Sequence, residues 1–447
     1  MAEVLVTAMP FSGHVIPLTH VAEALVRAGH RVRFHTGSRF TQSVRAAGAQ
    51  ELPWRHAPDF DEHDLSATFP ATGRGGPLGF LANLEHVFLR TAPAQVQDLR
   101  EEWERRPWDL LVADSTSMGG ALAAELLGTP WATVSVAPLA LPSRELPPPG
   151  LPLAPARGRL GRTRDAALRG LVHVTTRRLR TALADVRAEV GLGPTDVGLD
   201  EQWFSPFLVL TLGIPGLEPV RGDLPTHVHF VGSFAPADGE LPPGWDQALA
   251  APRPVVHVTQ GTFGTDPQQL LRPALEALGQ REVTVAAVTG ITGRDRLPFP
   301  VPGNAVVAGR VPHGRLLPRT DVVVTNGGWG GVLATLRHGV PLVVAGADLD
   351  KPVVAARVAR SGAGIDLRTG RPSARAVGEA VDTVLRDPSY RRNAQRLAAE
   401  FAAHDTPAEV VGLLGQLLDR RAPVLRSTDP WAPPTTAPTS TPTSTQN

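Results

Sequence analysis

One pattern runs through most of this chain and leaves few folds open to it. A short apolar run is followed by a glycine-bearing turn, then by a segment with helical period, then by the next apolar run. The opening stretch, VLVTAMPFSGHVIPLTHVAEALVRAGHRVRFHT, shows it in full. Val4–Ala8 reads as a buried parallel strand. Leu18, Val21, Ala22, Leu25 and Val26 recur at helical spacing, Gly29 supplies the stop, and Val32–His35 alternates as a second strand. The unit returns in DLLVADS, MGGALAAELLG and PWATVSVAP, and a second series starts near Pro254 with PVVHVTQGTFG. Strands and helices alternating in this way build parallel sheets covered on both faces. The spacing predicts an α/β chain of two doubly wound, Rossmann-like domains facing each other across a cleft. Ligands of such sheets bind beyond the carboxyl ends of the strands.

The expected boundaries are 1–215 for the first domain, 216–253 for a Pro/Gly/Asp-rich linker and 254–421 for the second domain. A Pro/Thr/Ser-rich tail at 422–447 lacks the apolar residues to order itself. Leu141–Arg164 reads as a long loop or broken helix, and PQQLLRPALEALG as a helix despite Pro273. The helix from about Pro388 is expected to pack back toward the first domain.

Composition removes several function classes. The formal net charge of +1 over 447 residues gives no basic field for nucleic acid. Cysteine is absent, which removes disulfides and thiol chemistry and fits a reducing compartment. No apolar run approaches the roughly 20 residues of a membrane span, and the N-terminus carries no basic leader. These features predict a cytoplasmic protein with no nucleic-acid or membrane partner, as a monomer or homodimer.

The densest motif is TNGGWGGVLATLRHGVPLVV, with four glycines between a strand and a helix. Glycines there let backbone amides approach a ligand, and the helix N-terminus favours an anion. The spacing is neither G-x-G-x-x-G nor a Walker A loop, and a tight structural turn explains it equally well. The first turn, PFSGH, has one glycine, and no acidic residue ends VRFHTGS, so a nicotinamide-dependent oxidoreductase is disfavoured. The pairs DFD at Asp59–Asp61 and DLD at Asp348–Asp350 have a metal-binding look. The first lies in a polar loop and the second adjoins Lys351, so no metal site is assigned.

Taken in order, these stretches resemble the family 1 glycosyltransferases of the GT-B fold. TNGGWGGV, the GVP at Gly339–Pro341 and Asp350-Lys351 follow that family's C-terminal signature. HVTQGTFG resembles its strand and S-x-G-T turn, GRVPHGRLLPRTDVVVTN its W-x-P-Q region, VHFVGS the strand before its linker, PFSGHVIPL its G-H-x-x-P turn and LLVADSTS its strand ending in Asp, and the likeness spans residues 4–405. It is similar in particular to actinobacterial enzymes that glycosylate secondary metabolites.

The resemblance implies an inverting, metal-independent transfer from a UDP- or dTDP-sugar to a hydroxyl of an apolar small molecule, with no cofactor. His14 would be the general base, oriented by Asp114. Donor contacts would come from Thr262, Val311, Gly328, Trp329, Gly330 and Asp350, with Trp329 and the two glycines offering backbone amides. Phe11, Phe60, Phe80 and Phe88 are expected near the acceptor. A catalytically silent helper that binds nucleotide sugar, and a GT-B epimerase, are the alternatives.

Three positions depart from the family pattern. Its histidine in T-H-x-G is Asn326, its base-stacking tryptophan is Arg310, and the glutamine after the acidic residue is Lys351. Lys351 is the only lysine among 44 Lys and Arg residues. A guanidinium plane can stack on a base, and a compact ammonium can serve a diphosphate or a sugar hydroxyl. Arg310, Asn326 and Lys351 therefore stay in the expected donor site.

Overall fold

The computed structural model describes residues 1–72, 76–261, 264 and 266–431. Two parallel sheets carry it. In the first, β1 (Glu3–Thr7), β2 (Arg31–Thr36), β3 (Gln50–Pro53), β4 (Leu110–Asp114), β5 (Trp131–Ser135), β6 (Val209–Thr211) and β7 (Val228–Phe230) lie in the order β3-β2-β1-β4-β5-β6-β7. In the second, β8 (Val255–Thr259), β9 (Thr284–Val288), β10 (Ala305–Ala308), β11 (Val322–Thr325), β12 (Leu342–Val344) and β13 (Gly364–Asp366) lie in the order β10-β9-β8-β11-β12-β13. Every residue of β4 and β5 is buried, as in parallel strands lying between helical layers.

The helix holding Pro273 starts at Leu271, so the proline falls in its first turn, where no intrahelical N–H partner is needed. Residues 141–157 form no regular element, and a helix follows at Gly158–Thr175.

Two boundaries differ from the sequence reading. The segment 216–253, expected to be a linker, contains β7, which pairs with β6 and closes the first sheet. Three residues are too few to register as a period. The tail, expected from residue 422, is packed as far as Trp431. Val424 is buried; its amide donates to the Phe207 carbonyl and its own carbonyl accepts from the His229 ring, and the Trp431 indole donates to the Arg221 carbonyl at 3.0 Å. Two apolar anchors hold a stretch whose composition alone argued for disorder; residues 432–447 lie outside the described residues.

The chain crosses back to the first domain through its last helices. Glu400, in the helix Pro388–Ala402, accepts from the Gly216 amide at 2.8 Å. The helix Thr406–Arg420 packs Val410, Leu414 and Leu417 into the same core as Val21 and Leu25 of the helix Ser12–Arg27. The cleft between the sheets is thereby bridged at its back.

His257 is an exception in the core of the second sheet. Its ring is buried on β8 with Nδ1 on the Ala286 carbonyl at 2.9 Å. Burial first, and the neighbouring His313 second, drive its pKa down to about 3. The unfolded chain therefore binds a proton that the native state refuses between about pH 6.5 and 3. Stability is lost as pH falls through that window, at up to about 1.4 kcal/mol per pH unit. Denaturant midpoints at pH 7, 6 and 5 should fall more steeply for the native chain than for His257→Gln, whose amide keeps a donor for Ala286.

Candidate active site

The first domain builds its side of the cleft from the ends of β1 and β4. β1 runs out at Thr7, and the chain turns through Met9 and Pro10 into the helix Ser12–Arg27. His14 stands in the first turn of that helix. Asp114 is the last residue of β4, 1% exposed. His14 Nδ1 lies 3.1 Å from Asp114 Oδ1 and 3.0 Å from Thr116 Oγ1.

Asp114 is well supplied with donors. Its Oδ2 accepts the Met9 amide at 2.7 Å, and its Oδ1 accepts the Thr116 amide at 2.6 Å and hydroxyl at 2.5 Å. Burial opposes ionisation, but His14, Thr116 and Met9 together hold this carboxyl below its usual range. The Thr116 proton is spent on Asp114, so Thr116 Oγ1 is an acceptor toward His14. The network thus assigns the proton to Nδ1 and leaves Nε2 as the free base. Burial alone would lower the His14 pKa; Asp114, by charge and hydrogen bond, with Asp350 and Glu62 behind it, raises it overall. The side chain stays 21% exposed, so the base is open to the cleft.

Glu62 fixes the turn that carries His14. It is 2% exposed, accepts the Ser12 amide at 2.8 Å and also takes the Ser12 hydroxyl. A carboxylate at the first turn satisfies free amides and suits the helix dipole. Beneath His14, Phe11 meets Phe60 at 5.1 Å and Phe88 at 5.6 Å, and its own ring lies 5.5 Å from that of His14. Phe11 and Phe60 are buried, Phe88 half-buried. Phe80 is 40% exposed and stands outside this cluster.

The second domain faces this from the ends of β8, β11 and β12. Gly327 (φ 86°) and Gly346 let three strand ends converge. A Cβ on Gly327 would lie 2.8 Å from Val344 Cγ1, and one on Gly346 would lie 2.8 Å from Lys351 Cβ. Asn326 is buried. Its Nδ2 donates to the Gln260 carbonyl, while its Oδ1 has no partner. The helix Trp329–Arg337 has Gly328 as its N-cap, without a side-chain cap, and Gly330 and Gly331 are exposed at its first turn. Those amides are available to an anion. The Trp329 side chain is used otherwise: its indole donates to the Leu212 carbonyl of the first domain at 3.0 Å.

Asp350 is the N-cap residue of the helix Lys351–Ser361, and its side chain does not cap it. Burial pushes its carboxyl up, against the pull of Lys351, His14 and Arg357. Asp350 and His14 therefore feel each other across the cleft. Lys351 is half-buried and forms no direct ion pair among the described residues, and burial pushes its pKa down against the pull of Asp348 and Asp350. Val311 is buried against Trp245 and Leu316, and Arg310 beside it is exposed past the end of β10. Thr262 lies outside the described residues.

Asp59 accepts from Ser38, and Asp61 pairs with Arg39. No group of three or more ligating side chains gathers among the described residues. No helix there is long and apolar enough to cross a membrane.

The sequence reading missed Thr116, Glu62 and Ser12. Thr116 had a local signal, a hydroxyl two residues past the strand-end aspartate. Glu62 had none, since its partner is 50 residues away in the sequence.

Residues 278–417 match the family described as erythromycin biosynthesis protein CIII-like, C-terminal domain. The chain is 42% identical over 422 residues to 4′-demethylrebeccamycin synthase of Lentzea aerocolonigenes, covering 93% of this chain and 100% of that one. It is 31% identical over 438 residues to UDP-glycosyltransferase 2 of Phaeomoniella chlamydospora, covering 93% and 95%. Among solved structures, the calicheamicin glycosyltransferase CalG4 superposes with a TM-score of 0.73 at 21% identity over 95% of this chain and 100% of that one. The spinosyn rhamnosyltransferase SpnG complexed with thymidine diphosphate gives 0.67 at 21% identity over 92% and 100%. The chain belongs to the family 1 glycosyltransferases of the GT-B fold, and it is a glycosyltransferase of the kind that serves actinobacterial antibiotic biosynthesis.

Proposed function

We propose that this glycosyltransferase moves a sugar from a UDP- or dTDP-sugar to a hydroxyl of an apolar natural-product acceptor, in one inverting displacement without a metal. The observation that carries this reading is the His14–Asp114 pair opening toward Asp350 of the other domain. Nε2 of His14 takes the acceptor proton as the oxygen attacks the anomeric carbon, and the bond from that carbon to the nucleoside diphosphate breaks, the diphosphate leaving with the electron pair. Asp114 and Thr116 hold the ring and stabilise the imidazolium that forms. Asp350, pushed toward its protonated form by burial, is a poor nucleophile and a good partner for sugar hydroxyls. The first domain takes the acceptor over Phe11, Phe60 and Phe88. The second, 254–421, takes the donor at the Trp329–Arg337 helix terminus, with Arg310 and Val311 at the base and Asn326 nearby. The names of relatives that use UDP, and the neighbour bound to thymidine diphosphate, support a pyrimidine nucleotide.

Lys351 is assigned to the diphosphate or the sugar, because it is the chain's one lysine, lies beside Gly327 before that helix, and has no carboxylate in direct contact among the described residues. A thermal-shift series with UDP, dTDP, GDP, ADP and NAD tests the reading. UDP or dTDP should raise the melting temperature and NAD should not, since a ligand of the folded state alone must stabilise it. Lys351→Gln should weaken the effective nucleotide by roughly ten-fold, in line with about 1.4 kcal/mol for one charged hydrogen bond. Unchanged affinity would remove Lys351 from the site. Turnover by the purified chain alone separates a transferase from a silent helper.

A further inference from the structure

Three non-glycine residues among those described hold a left-handed backbone: Leu349 (φ 56°), Arg368 (φ 54°) and Arg421 (φ 49°). Only Leu349 is apolar, and it is 45% exposed. The Lys351 amide donates to the Asp348 carbonyl at 3.1 Å and closes a four-residue turn around Leu349 and Asp350. The turn has a positive φ, 56°, at its first central residue, Leu349, and an ordinary φ of −81° at Asp350. The first central position of that turn is dominated by glycine, asparagine and aspartate, because an L side chain there is strained. Leucine thus suits neither its backbone nor its surroundings, for nearly half of it lies uncovered by the protein's own core.

The helix that leaves the turn, Lys351–Ser361, rests on the first domain: Arg357 reaches Glu218, and Arg360 donates to the Leu217 carbonyl at 2.8 Å. The turn at its start therefore lies at the cleft. Asp350, the next residue, acts electrostatically on His14, above the Phe11–Phe60–Phe88 cluster.

We infer that Leu349 is a specificity-determining residue: the strained turn holds an apolar side chain against the ring system of the acceptor, opposite the aromatic cluster below His14. An acceptor would then be gripped between one apolar surface from each domain. This rests on the acceptor site proposed above.

The test uses 2-naphthol, a flat apolar phenol, and the variants Leu349→Gly, Leu349→Asn and Leu349→Met. Binding is read from naphthol fluorescence, with and without UDP or dTDP, and melting temperatures are recorded beside it. Glycine and asparagine, which accept positive φ, should leave the melting temperature unchanged or a degree or two higher. They should weaken 2-naphthol binding by about five- to ten-fold, the worth of a partly buried leucine contact. Methionine should bind within about two-fold of the native chain, and all three should keep nucleotide affinity within about two-fold. Native-like naphthol binding by the glycine and asparagine variants would overturn the inference. So would an equal loss in the methionine variant. A native chain that gains no stability from UDP or dTDP would instead count against the donor reading, while the naphthol comparison on nucleotide-free protein still judges Leu349.

Discussion

Replacing His14 by alanine is expected to lower kcat for transfer by about 10²–10⁴-fold, the usual worth of a positioned general base, while donor affinity stays nearly unchanged. The geometry makes this specific. Nε2 is the only ring nitrogen free to accept a proton, because Nδ1 is committed to Asp114 and Thr116. Asp114→Asn should approach the same loss by a different route. An asparagine amide turned toward Nδ1 donates rather than accepts, which moves the imidazole proton to Nε2 and removes the base. The pH profile separates the two effects. The base must be neutral to act, and its pKa is raised above 6.5 by Asp114 acting against burial. kcat/KM of the native chain should therefore rise with pH through an apparent pKa above 6.5 and then level off. In Asp114→Asn the residual activity should lose that limb or shift it to lower pH, since the raising charge is gone. Steady-state kinetics from pH 5 to 9 on native, His14→Ala and Asp114→Asn protein decide it. A His14→Ala variant within ten-fold of native would remove His14 from the mechanism.

The parts of the architecture legible in the sequence were those encoded locally. Strands such as Leu110–Asp114 show as unbroken apolar runs, and helices such as Ser12–Arg27 show as a 3.6-residue period. Both report burial on a length scale of a few residues. β7 and β13 span three residues each and exist because a neighbouring strand offers its edge, a fact held elsewhere in the chain. The candidate site divides in the same way. His14 and Asp114 stood at strand ends next to recognisable turns. Glu62 comes from a segment with no periodicity, and Arg357 sits in a legible helix, but their partners lie 50 and 139 residues away. Trp329 shows a different case. Its place in the glycine motif suggested a role for its backbone amide, and nothing local signalled that its side chain would tie the two domains together through Leu212.

The second large effect concerns that closure. Arg357 Nη2 and Nε reach the two oxygens of Glu218 at 2.7 and 3.0 Å, and both side chains are at least nine-tenths buried. Glu218 Oε1 also accepts the Leu139 amide at 3.3 Å, and Arg357 Nη2 donates to the Leu139 carbonyl at 3.4 Å. One ion pair thus ties the helix that begins with Lys351, the loop after β5 and the segment after β6. Glu218 also lies in the field of Arg221 and Arg360. Glu218→Gln therefore leaves the buried Arg357 guanidinium without its carboxylate and should cost about 3–5 kcal/mol, the range for removing one member of a buried pair. Arg357→Met leaves Glu218 with Arg221 and Arg360 in its field, and its cost should fall near the lower end, about 3 kcal/mol. Chemical denaturation of both variants and of Glu218→Leu/Arg357→Met measures the coupling. If the pair served folding alone, turnover of the surviving folded fraction would be native. Because the same helix sets Asp350 opposite His14, kcat should instead fall by roughly ten-fold in Arg357→Met even at temperatures where it is fully folded, with nucleotide affinity less affected. Native kcat in that variant would mean that the Trp329 indole and the last two helices position the domains without help from this pair.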